Sequence, residues 1–357
     1  MPEISLSPPP AWNALGAAWR ALEARSHGSF FQSWSWVGSC VDARFPDPVL
    51  LEARHQGQVV ALGLFNRRRR LPGGSRLWLN ETGTVALDSI HVEHNGLLIA
   101  ADAPPGMLAQ AFAHLTGTAS HVVLSGVDAA HLDAAHATGM LVRARANAAA
   151  SPWIDLAAVR AQAGSHLALL SANARQQIRR SVRRYALGGP LQLQRADSLE
   201  QARGFLRALG VLHQRAWTER GQPGAFANPA FVAFHDALLT TAWPRGEIDL
   251  LRVDAGTQTL GYLYNFRWRN RIANYQTGFD YAAAPSAQHK PGLTCHHLAA
   301  EMYAAEGLDN YDLLAGEHRY KTTLATNCAT LHWIEMMPMM SLSGLLHRAR
   351  AAFARKG

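Results

Sequence analysis

The chain has 357 residues, of which 48% are hydrophobic and 17% charged; this balance excludes a disordered chain, and the length suffices for two ordinary domains. No stretch approaches the roughly 20 uninterrupted apolar residues of a membrane span. The net charge of +8 predicts attraction to anions, whether a phosphorylated cofactor, nucleic acid or a membrane surface, although a generically basic surface would give the same charge.

The N-terminus and the cysteines bear on the cellular compartment. Residues Met1–Ile4 show neither the basic start nor the apolar stretch of an export signal. The cysteines Cys40, Cys295 and Cys328 lie far apart, a spacing that suits neither a disulfide framework nor a metal ribbon. We therefore expect a soluble protein of the reducing cytoplasm.

The first half of the chain has a mixed α/β pattern. A helix is expected to open within Ser29–Trp36, where serines can serve as the N-cap. Strand-like runs at Val49–Ala53 and Gln58–Phe65 flank His55-Gln56-Gly57, which predicts a hairpin with glycine at its turn.

Two polar features of the first half allow more than one interpretation. The arginine run Arg67–Arg70 leads into a loop at Leu71–Gly74, and it is either a solvated hairpin end or a binding patch. His91 and His94 are spaced like metal ligands, but no third ligand is evident, so we do not expect a metal site.

The domain boundary is placed in an alanine-rich, polar segment, Ala144–Gly164. We expect an N-terminal domain at residues 1–155, a C-terminal domain at 156–340 and an amphipathic helix at 341–357. That last helix is basic, and it could lie on an anionic membrane surface or pack against the domain.

The second half opens with a basic helix that begins at Ser171 and ends at Gly188-Gly189-Pro190. Two further helices are expected, one capped by Asp197 or Ser198 and one starting at Asn228-Pro229. The basic helix carries five arginines, most of them expected to be solvated: Arg175, Arg179, Arg180, Arg183 and Arg184.

Next comes an antiparallel meander followed by a helix and a strand. The meander strands and the later elements are Ile248–Val253, Leu260–Trp268, Arg271–Thr277, a loop at Ala282–Pro291, a helix at Gly292–Glu306 and a strand at Tyr311–Leu314. The turn before that helix presents backbone N–H groups at a helix N-terminus, where a diphosphate binds well. The cofactor-binding residues predicted there are His289, Lys290, Gly292, Leu293 and Thr294.

Several motifs together carry a resemblance to a known family. They are Ser171-x-Asn173-x-Arg175, His213, Trp217, Arg220-Gly221, Tyr275-x-x-Gly278-Phe279-Asp280, Pro291-Gly292 and Asp312-x-x-x-Gly316-x-x-x-Tyr320-Lys321. With them, residues 171–335 resemble the GNAT superfamily of acyltransferases. The chain is most similar to the two-domain acetyltransferases associated with cellulose biosynthesis (CelD/BcsL type), relatives of the FemX-like aminoacyl transferases. The first half matches more faintly, through Phe31-Gln32-x-x-x-Trp36 and the hairpin.

The resemblance implies an α/β (α+β) fold of two tandem GNAT-like domains, each with a mixed, mainly antiparallel sheet flanked by helices. The N-terminal domain is expected to be degenerate and the C-terminal domain catalytic. The implied cosubstrate is acyl-CoA, foremost acetyl-CoA, bound where strands four and five separate, with no metal. The phosphate turn departs from the family pattern, since His289 replaces Arg or Gln and Thr294 replaces a small residue.

The motif near the C-terminal end of the predicted domain supplies the catalytic candidates. Asp312, Glu317 and Tyr320 are candidate acid–base groups, and Lys321 could stabilise negative charge. Tyr320 is a candidate for protonation of the thiolate, because a tyrosine, with a pKa of about 10, carries its proton at neutral pH. Asp312 could equally be a strand-end residue that hydrogen-bonds a neighbouring loop.

Substrate-binding candidates are Trp217, Arg220, Tyr275 and Asp280. Trp217 and Arg220 either form a wall of the acceptor pocket or are a helix-end aromatic ring and a solvated arginine. His213 is expected to be a satisfied, half-buried histidine.

Three functions stay open. The first is direct acyl transfer from acyl-CoA to an amine of a small molecule or sugar, in exopolysaccharide metabolism if the resemblance extends that far. The second is a FemX-like transfer from aminoacyl-tRNA, the one case in which nucleic acid is a partner. The third is a non-catalytic GNAT pair that acts as a binding module.

Overall fold

The computed structural model describes residues 2–41, 44–69, 74–284 and 286–338. They form two compact units, one of the residues up to Ala148 together with those from Thr330, and one of Ala149–Ala329. None of the helices in these ranges is long and apolar enough to cross a bilayer. The predicted helix at 341–357 and the last arginine of the Arg67–Arg70 run lie outside the described residues.

The first unit is a mainly antiparallel sheet with helices. Its strands are β1 (Glu3–Ser7), β2 (Pro48–His55), β3 (Gln58–Arg69), β4 (Ser75–Leu79), β5 (Leu98–Ile99), β6 (His121–Val127) and β7 (Leu141–Ala144), together with most of the last described strand, β14 (Asn327–Met337). Its helices are α1 (Trp12–Glu23), α2 (Trp34–Val41), α3 (Met107–Thr118) and α4 (Ala129–Ala137). Strands β1 to β4 pair antiparallel in sequence order, β4 pairs parallel with β6, and β14 pairs antiparallel with β6 and β7.

Two local predictions for the first unit are confirmed. Strands β2 and β3 form the expected hairpin, and its turn residues Gln56 and Gly57 both have positive φ angles of 49° and 78°, the conformation that tight hairpins require. The expected helix begins at Trp34, where the Ser33 hydroxyl accepts a hydrogen bond from the Trp36 N–H at 3.2 Å.

The second unit has a similar composition of elements. Its strands are β8 (Ala149–Asp155), β9 (Leu191–Arg195), β10 (Ile248–Ala255), β11 (Gln258–Trp268), β12 (Arg271–Phe279) and β13 (Asn310–Asp312). Its helices are α5 (Leu156–Ala161), α6 (Ala172–Ala186), α7 (Leu199–Thr218), α8 (Pro229–Ala242), α9 (Pro291–Ala305) and α10 (Arg319–Leu324). Strands β9 to β12 pair antiparallel in sequence order, β12 pairs parallel with β13, and β13 pairs antiparallel with β8.

Three helix starts predicted in the second half are those of the structure, and α9 begins at Pro291, one residue before the predicted Gly292. Ser171 accepts from the Ala174 N–H at 3.3 Å and begins α6, and Ser198 accepts from the Gln201 N–H at 3.2 Å and begins α7. Helix α8 begins after Asn228, with proline at its first position. Side-chain caps of this kind satisfy N–H groups that a helix leaves without acceptors, so they fix the starts of these helices.

The two units repeat one order of elements. In the first unit the order is β1, α1, α2, β2, β3, β4, α3, β6, α4, with the two-residue strand β5 as an addition between β4 and α3. In the second unit it is β9, α7, α8, β10, β11, β12, α9, β13, α10. In both, the antiparallel meander ends in a strand that pairs parallel with the strand after the next long helix. The predicted fold of two GNAT-like domains, each with a mixed, mainly antiparallel sheet, is therefore confirmed.

The units differ in extent from the expected domains at 1–155 and 156–340. Strand β8 precedes residue 156 but pairs with β13, so it belongs to the second unit. The chain from Thr330 belongs to the first unit, because β14 pairs with β6 and β7.

Candidate functional site

The parallel pair β12–β13 separates soon after it begins. Only Arg271–Ala273 of β12 pair with Asn310–Asp312 of β13. Strand β12 continues to Phe279, paired on one edge with β11, while the chain after Asp312 turns into a loop. The other edge of Asn274–Phe279 is therefore left without a strand partner among the described residues of this unit. We call this gap the β12–β13 opening.

The corresponding gap in the first unit is filled by the chain itself. The Asn95 N–H donates to the Gly126 carbonyl of β6 at 3.0 Å, and its side-chain amide donates to the Leu79 carbonyl of β4 at 3.1 Å. At Gly126 a Cβ atom would lie 2.7 Å from the Val92 carbonyl oxygen. The segment that contains Val92 and Asn95 thus bonds both β4 and β6 where these two strands separate, and it closes the gap of the first unit. The open gap is therefore the β12–β13 opening of the second unit.

Helix α9 begins at this opening, with Pro291 at its first position. The N–H groups of Gly292 and Leu293 lie in the first turn, where a helix supplies no acceptor, and no hydrogen bond of the described residues uses them. The partial positive charge of a helix N-terminus favours an anion there. At Gly292 a Cβ atom would lie 3.1 Å from the Phe279 ring, so the helix start packs closely on the end of β12.

A buried serine of α6 holds the start of α9. The Ser181 hydroxyl accepts from the Lys290 N–H at 2.8 Å, contacts the Lys290 carbonyl at 3.3 Å and lies 2.8 Å from the Thr294 hydroxyl. Ser181 and Thr294 are both fully buried. This Ser181–Lys290–Thr294 network therefore fixes the turn and leaves the Lys290 side chain exposed.

His289, at the same turn, packs its ring edge-to-face on Tyr185 of α6, with 4.9 Å between ring centres. Its Nδ1 lies 2.9 Å from the Ser286 hydroxyl. Burial raises the pKa of Tyr185, so its hydroxyl stays protonated. His289 thus belongs to the packing that joins α6 to the turn.

A row of aromatic rings runs along the second unit from the end of α7 to α9. The distances between ring centres are 6.5 Å for Trp217–His318, 6.1 Å for His318–Tyr320 and 5.3 Å for Tyr320–His296. The last two pairs are stacked, at interplanar angles of 23° and 13°. The structure thus links two of the predicted site residues, Trp217 and Tyr320, through His318, and links Tyr320 to α9 through His296.

His296 is a neutral, fully buried imidazole. Burial, assisted by the positive charge of Lys321, lowers its pKa to about 3. Its Nδ1 lies 2.9 Å from the Tyr311 hydroxyl, and its ring also packs edge-to-face on Phe279. His296 therefore connects Tyr320 to the end of β12 without adding charge.

Lys321 and Asp312 both bond the loop between β13 and α10. The Lys321 ammonium is buried and donates to the Leu314 carbonyl at 3.0 Å and the Ala315 carbonyl at 2.6 Å. Asp312 accepts from the Leu314 N–H at 2.7 Å and from the Ser151 hydroxyl at 3.1 Å. These contacts hold a loop that turns back at Leu314, whose φ angle is 60°.

Glu317 lies exposed on the same loop, and no ion pair between described residues includes it. Tyr320, which follows it by three residues, is half-buried. The exposed His318 has a pKa lowered by partial burial and by the charges of Lys321 and Arg220.

The remaining predicted substrate-binding residues separate into two places. Arg220 lies over the Trp217 ring at 6.0 Å, and Asp280 accepts from Arg215 at 3.4 Å at the end of β12. Tyr275 is instead buried among aromatic side chains, with its hydroxyl 3.3 Å from Nε2 of His235.

His213 is a buried side chain between backbone groups. Its Nδ1 lies 3.2 Å from the Thr277 carbonyl and its Nε2 accepts from the Ala225 N–H at 3.3 Å. Burial lowers its pKa. With both ring nitrogens engaged, it is a structural link between α7 and β12.

The sequence patterns do not predict three residues of the site: Ser181, His296 and His318. Ser181 is one polar residue among the arginines of α6, and only its spacing with the buried Ile178 and Tyr185 marks it as facing inward. His296 lies within a helix whose first seven residues are all buried, which a helical period does not predict. His318 falls on an unspecified position between Gly316 and Tyr320 of the last motif, so no motif predicts it.

No group of three potential ligands suitable for a metal ion exists among the histidine, cysteine, aspartate and glutamate residues that the structure describes.

Part of the second unit is similar to a known domain family. Residues 172–322 match the family model for the acetyltransferase (GNAT) domain. The comparison with curated proteins found no match. Together with the fold, the match supports a GNAT-fold acyltransferase.

Solved structures share the fold over nearly the whole chain. FemX aligns with a TM-score of 0.59 at 8% identity, covering 94% of this chain and 97% of that one. The C-terminal domain (DUF2156) of a putative lysylphosphatidylglycerol synthetase from Agrobacterium fabrum aligns with a TM-score of 0.56 at 10% identity, covering 96% of each chain. L-PGS from Bacillus licheniformis gives 0.55 at 12% identity, with 94% of each chain covered. At such identities the similarity shows the fold alone.

Proposed function

We propose that the chain is an acyl-CoA-dependent N-acyltransferase that transfers an acyl group directly from the thioester to an amine. The start of α9 carries this proposal. Its free N–H groups at Gly292 and Leu293 and its exposed Lys290 lie at the β12–β13 opening, where they suit the diphosphate of a CoA donor.

The reaction requires one bond to form and one to break. The neutral amine attacks the thioester carbonyl, a C–N bond forms, the C–S bond breaks, the thiolate takes up a proton and the amine loses one. Negative charge develops on the carbonyl oxygen after the amine has attacked and before the C–S bond has broken. Backbone N–H groups on the unpaired edge of β12, within Asn274–Phe279, suit stabilisation of that oxygen.

Tyr320 is the proposed proton donor to the thiolate. It is half-buried, and its ring is held between His296 and His318. A phenol of ordinary pKa, about 10, is protonated at neutral pH, so it can supply the proton that the departing thiolate takes up. Glu317, exposed on the same loop, is the proposed acceptor of the amine proton.

Lys321 and Asp312 then act indirectly. Both are committed to hydrogen bonds with the loop that carries Glu317. We assign them the positioning of that loop, and with it of Tyr320.

A second candidate donor, aminoacyl-tRNA, is favoured by one observation. Helix α6, whose Ser181 holds the start of α9, also exposes a group of arginines to solvent: Arg179, Arg180, Arg183 and Arg184. Such a surface attracts a nucleic-acid backbone, and the binding would weaken steeply with salt. Bound RNA in the purified protein would support this donor over CoA.

The acceptor and its setting are proposals from the resemblance. We propose an amine of a small molecule or a sugar, with a role in exopolysaccharide metabolism, and the cytoplasm as the compartment.

Thiol release tests the proposed reaction. The full chain is incubated with acetyl-CoA or longer acyl-CoAs and a panel of amines, and free thiol is measured over time. We expect amine-dependent release that Tyr320→Phe reduces, while Tyr262→Phe, a tyrosine that packs on Phe205, retains it. If every acyl-CoA gives only the rate of the protein-free reaction, the proposed donor is wrong.

A further inference from the structure

The end of α7 fixes one arginine beside the proposed reaction site. The Gly221 N–H donates to the Thr218 carbonyl at 2.9 Å and the Gln222 N–H to the Trp217 carbonyl at 2.9 Å, a pair of bonds that ends a helix with glycine in the left-handed region. Gly221 has a φ angle of 71°. The backbone of Arg220, enclosed between these bonds, is therefore held in one conformation.

The Arg220 side chain is directed by aromatic neighbours. Its guanidinium carbon lies 6.0 Å from the centre of the Trp217 ring, within range of a cation–π attraction. Burial raises the pKa of Tyr281, and both the charge of Arg220 and its hydrogen bond to the Tyr281 hydroxyl oppose that rise. The same charge contributes to the lowered pKa of His318 and of His213. Arg220 therefore makes the surroundings of these rings positive.

No carboxylate neutralises this charge among the residues that the structure describes. Arg215, on the same helix, is paired with Asp280 at 3.4 Å, whereas Arg220 forms no ion pair with a described residue. Trp217 leads through His318 to Tyr320, the proposed proton donor. A fixed, unneutralised guanidinium thus lies at the end of the ring row away from α9.

We propose that the acceptor is an amine that also carries an anionic group, a carboxylate or a phosphate, and that Arg220 binds that group. The guanidinium presents paired donors that match the paired oxygens of either anion. With the anion on Arg220, the amine points along the ring row toward Tyr320. This inference rests on the transfer proposed above, because it assigns the acceptor of that same site.

Direct binding tests the inference without any donor. Two matched pairs of amines are titrated calorimetrically into the full chain: glucosamine 6-phosphate against glucosamine, and 4-aminobutyrate against 4-aminobutanamide. We expect the anionic member of at least one pair to bind about 10- to 100-fold more tightly, the range of a charge-assisted hydrogen-bonded pair. The pair whose anionic member binds more tightly identifies the group that Arg220 prefers as a phosphate or as a carboxylate.

Two variants assign that preference to a residue. Arg220→Gln is expected to abolish it. Arg207→Gln, which removes the same charge from an exposed position of α7, is expected to retain it. Equal affinity within both pairs, no binding of either anionic amine, or a preference that survives in Arg220→Gln would overturn the inference.

Thiol release from acetyl-CoA with the same amines separates this inference from the proposed function. Charge-dependent binding without thiol release contradicts the donor and leaves the anion site standing. Thiol release that does not depend on the anionic group contradicts the anion site and supports the donor.

Discussion

The Ser181–Lys290–Thr294 network gives a prediction whose size follows from the contacts. Ser181→Ala removes a buried hydroxyl that accepts from the Lys290 N–H and lies 2.8 Å from the Thr294 hydroxyl. Each buried polar group left without a partner costs about 1 to 3 kcal/mol. Two such groups lose their partner, the Lys290 N–H and the Thr294 hydroxyl, and the Lys290 N–H is only partly buried. We therefore expect a loss of about 2 to 4 kcal/mol of unfolding free energy.

Thermal unfolding measures this loss. In a unit of this length each kcal/mol lowers Tm by roughly 2 to 4 °C, so we expect Ser181→Ala to lower Tm by roughly 5 to 15 °C. Ser165→Ala is the matched control, because the Ser165 hydroxyl forms no hydrogen bond with the described residues of the second unit; we expect its Tm to stay within about 1 °C of wild type.

A double-mutant cycle tests the reasoning behind that number. Thr294→Val removes the partner hydroxyl, and in Ser181→Ala/Thr294→Val no unpaired hydroxyl is left at the site. We expect the double variant to lose about 1 kcal/mol less than the sum of the single variants. Strict additivity, or a Ser181→Ala variant as stable as wild type, would refute the assignment of this network as the support of α9.

Three further predictions concern the second unit. Lys321→Met leaves two loop carbonyls without their donor, so we expect a loss of about 1 to 3 kcal/mol in urea denaturation. Tyr320→Phe keeps the stack on His296 and removes the hydroxyl; in thiol-release kinetics we expect kcat to fall about 10²- to 10⁴-fold. Burial lowers the pKa of His296 to about 3 and of His297 to about 4. The neutral form of each histidine favours the folded state. This contribution to the unfolding free energy is complete above pH 6.5 and is lost as the pH falls toward the lowered pKa values. At pH 5 each is expected to have lost about 2 kcal/mol, measured by thermal unfolding.

Each of these three predictions would be contradicted by one result. A Lys321→Met variant of wild-type stability shows that the loop does not depend on the ammonium. Full kcat in Tyr320→Phe removes Tyr320 as the proton donor. For the histidines, His296→Asn/His297→Asn is expected to flatten the acid loss of Tm relative to the exposed His27→Asn; an unchanged slope contradicts the burial argument.

Local signals in the sequence predicted much of the fold. Polar caps followed by apolar periodicity located the starts of α6, α7 and α8, because a side-chain oxygen at the N-cap acts on groups only two or three residues away. Glycine at position 57 located the hairpin turn for the same reason, since tight turns depend on positive φ angles.

The surroundings of the site residues depend on long-range packing and could not be predicted in this way. The Lys321 ammonium meets the Leu314 and Ala315 carbonyls only because the loop reverses at Leu314. Tyr275 lies beside His235 because α8 packs there, and no local pattern records that contact.

Thermal unfolding in the presence of donors measures binding at the start of α9. The Tm of the full chain is recorded against CoA, acetyl-CoA and a series of longer acyl-CoAs. A ligand at 100 times its Kd adds about 2.7 kcal/mol, which corresponds to roughly 5 to 10 °C for a unit of this length.

Two glycine variants make the measurement specific. Gly292→Glu places a carboxylate where the donor's diphosphate is proposed to bind. Gly204→Glu places it on α7, where a Cβ atom meets nothing within 4 Å apart from the neighbouring backbone of the helix itself. We predict that an acyl-CoA raises the Tm of wild type and Gly204→Glu but not of Gly292→Glu. If no CoA ligand raises the Tm of the wild type, or if Gly292→Glu responds as the wild type does, the proposed donor site is wrong.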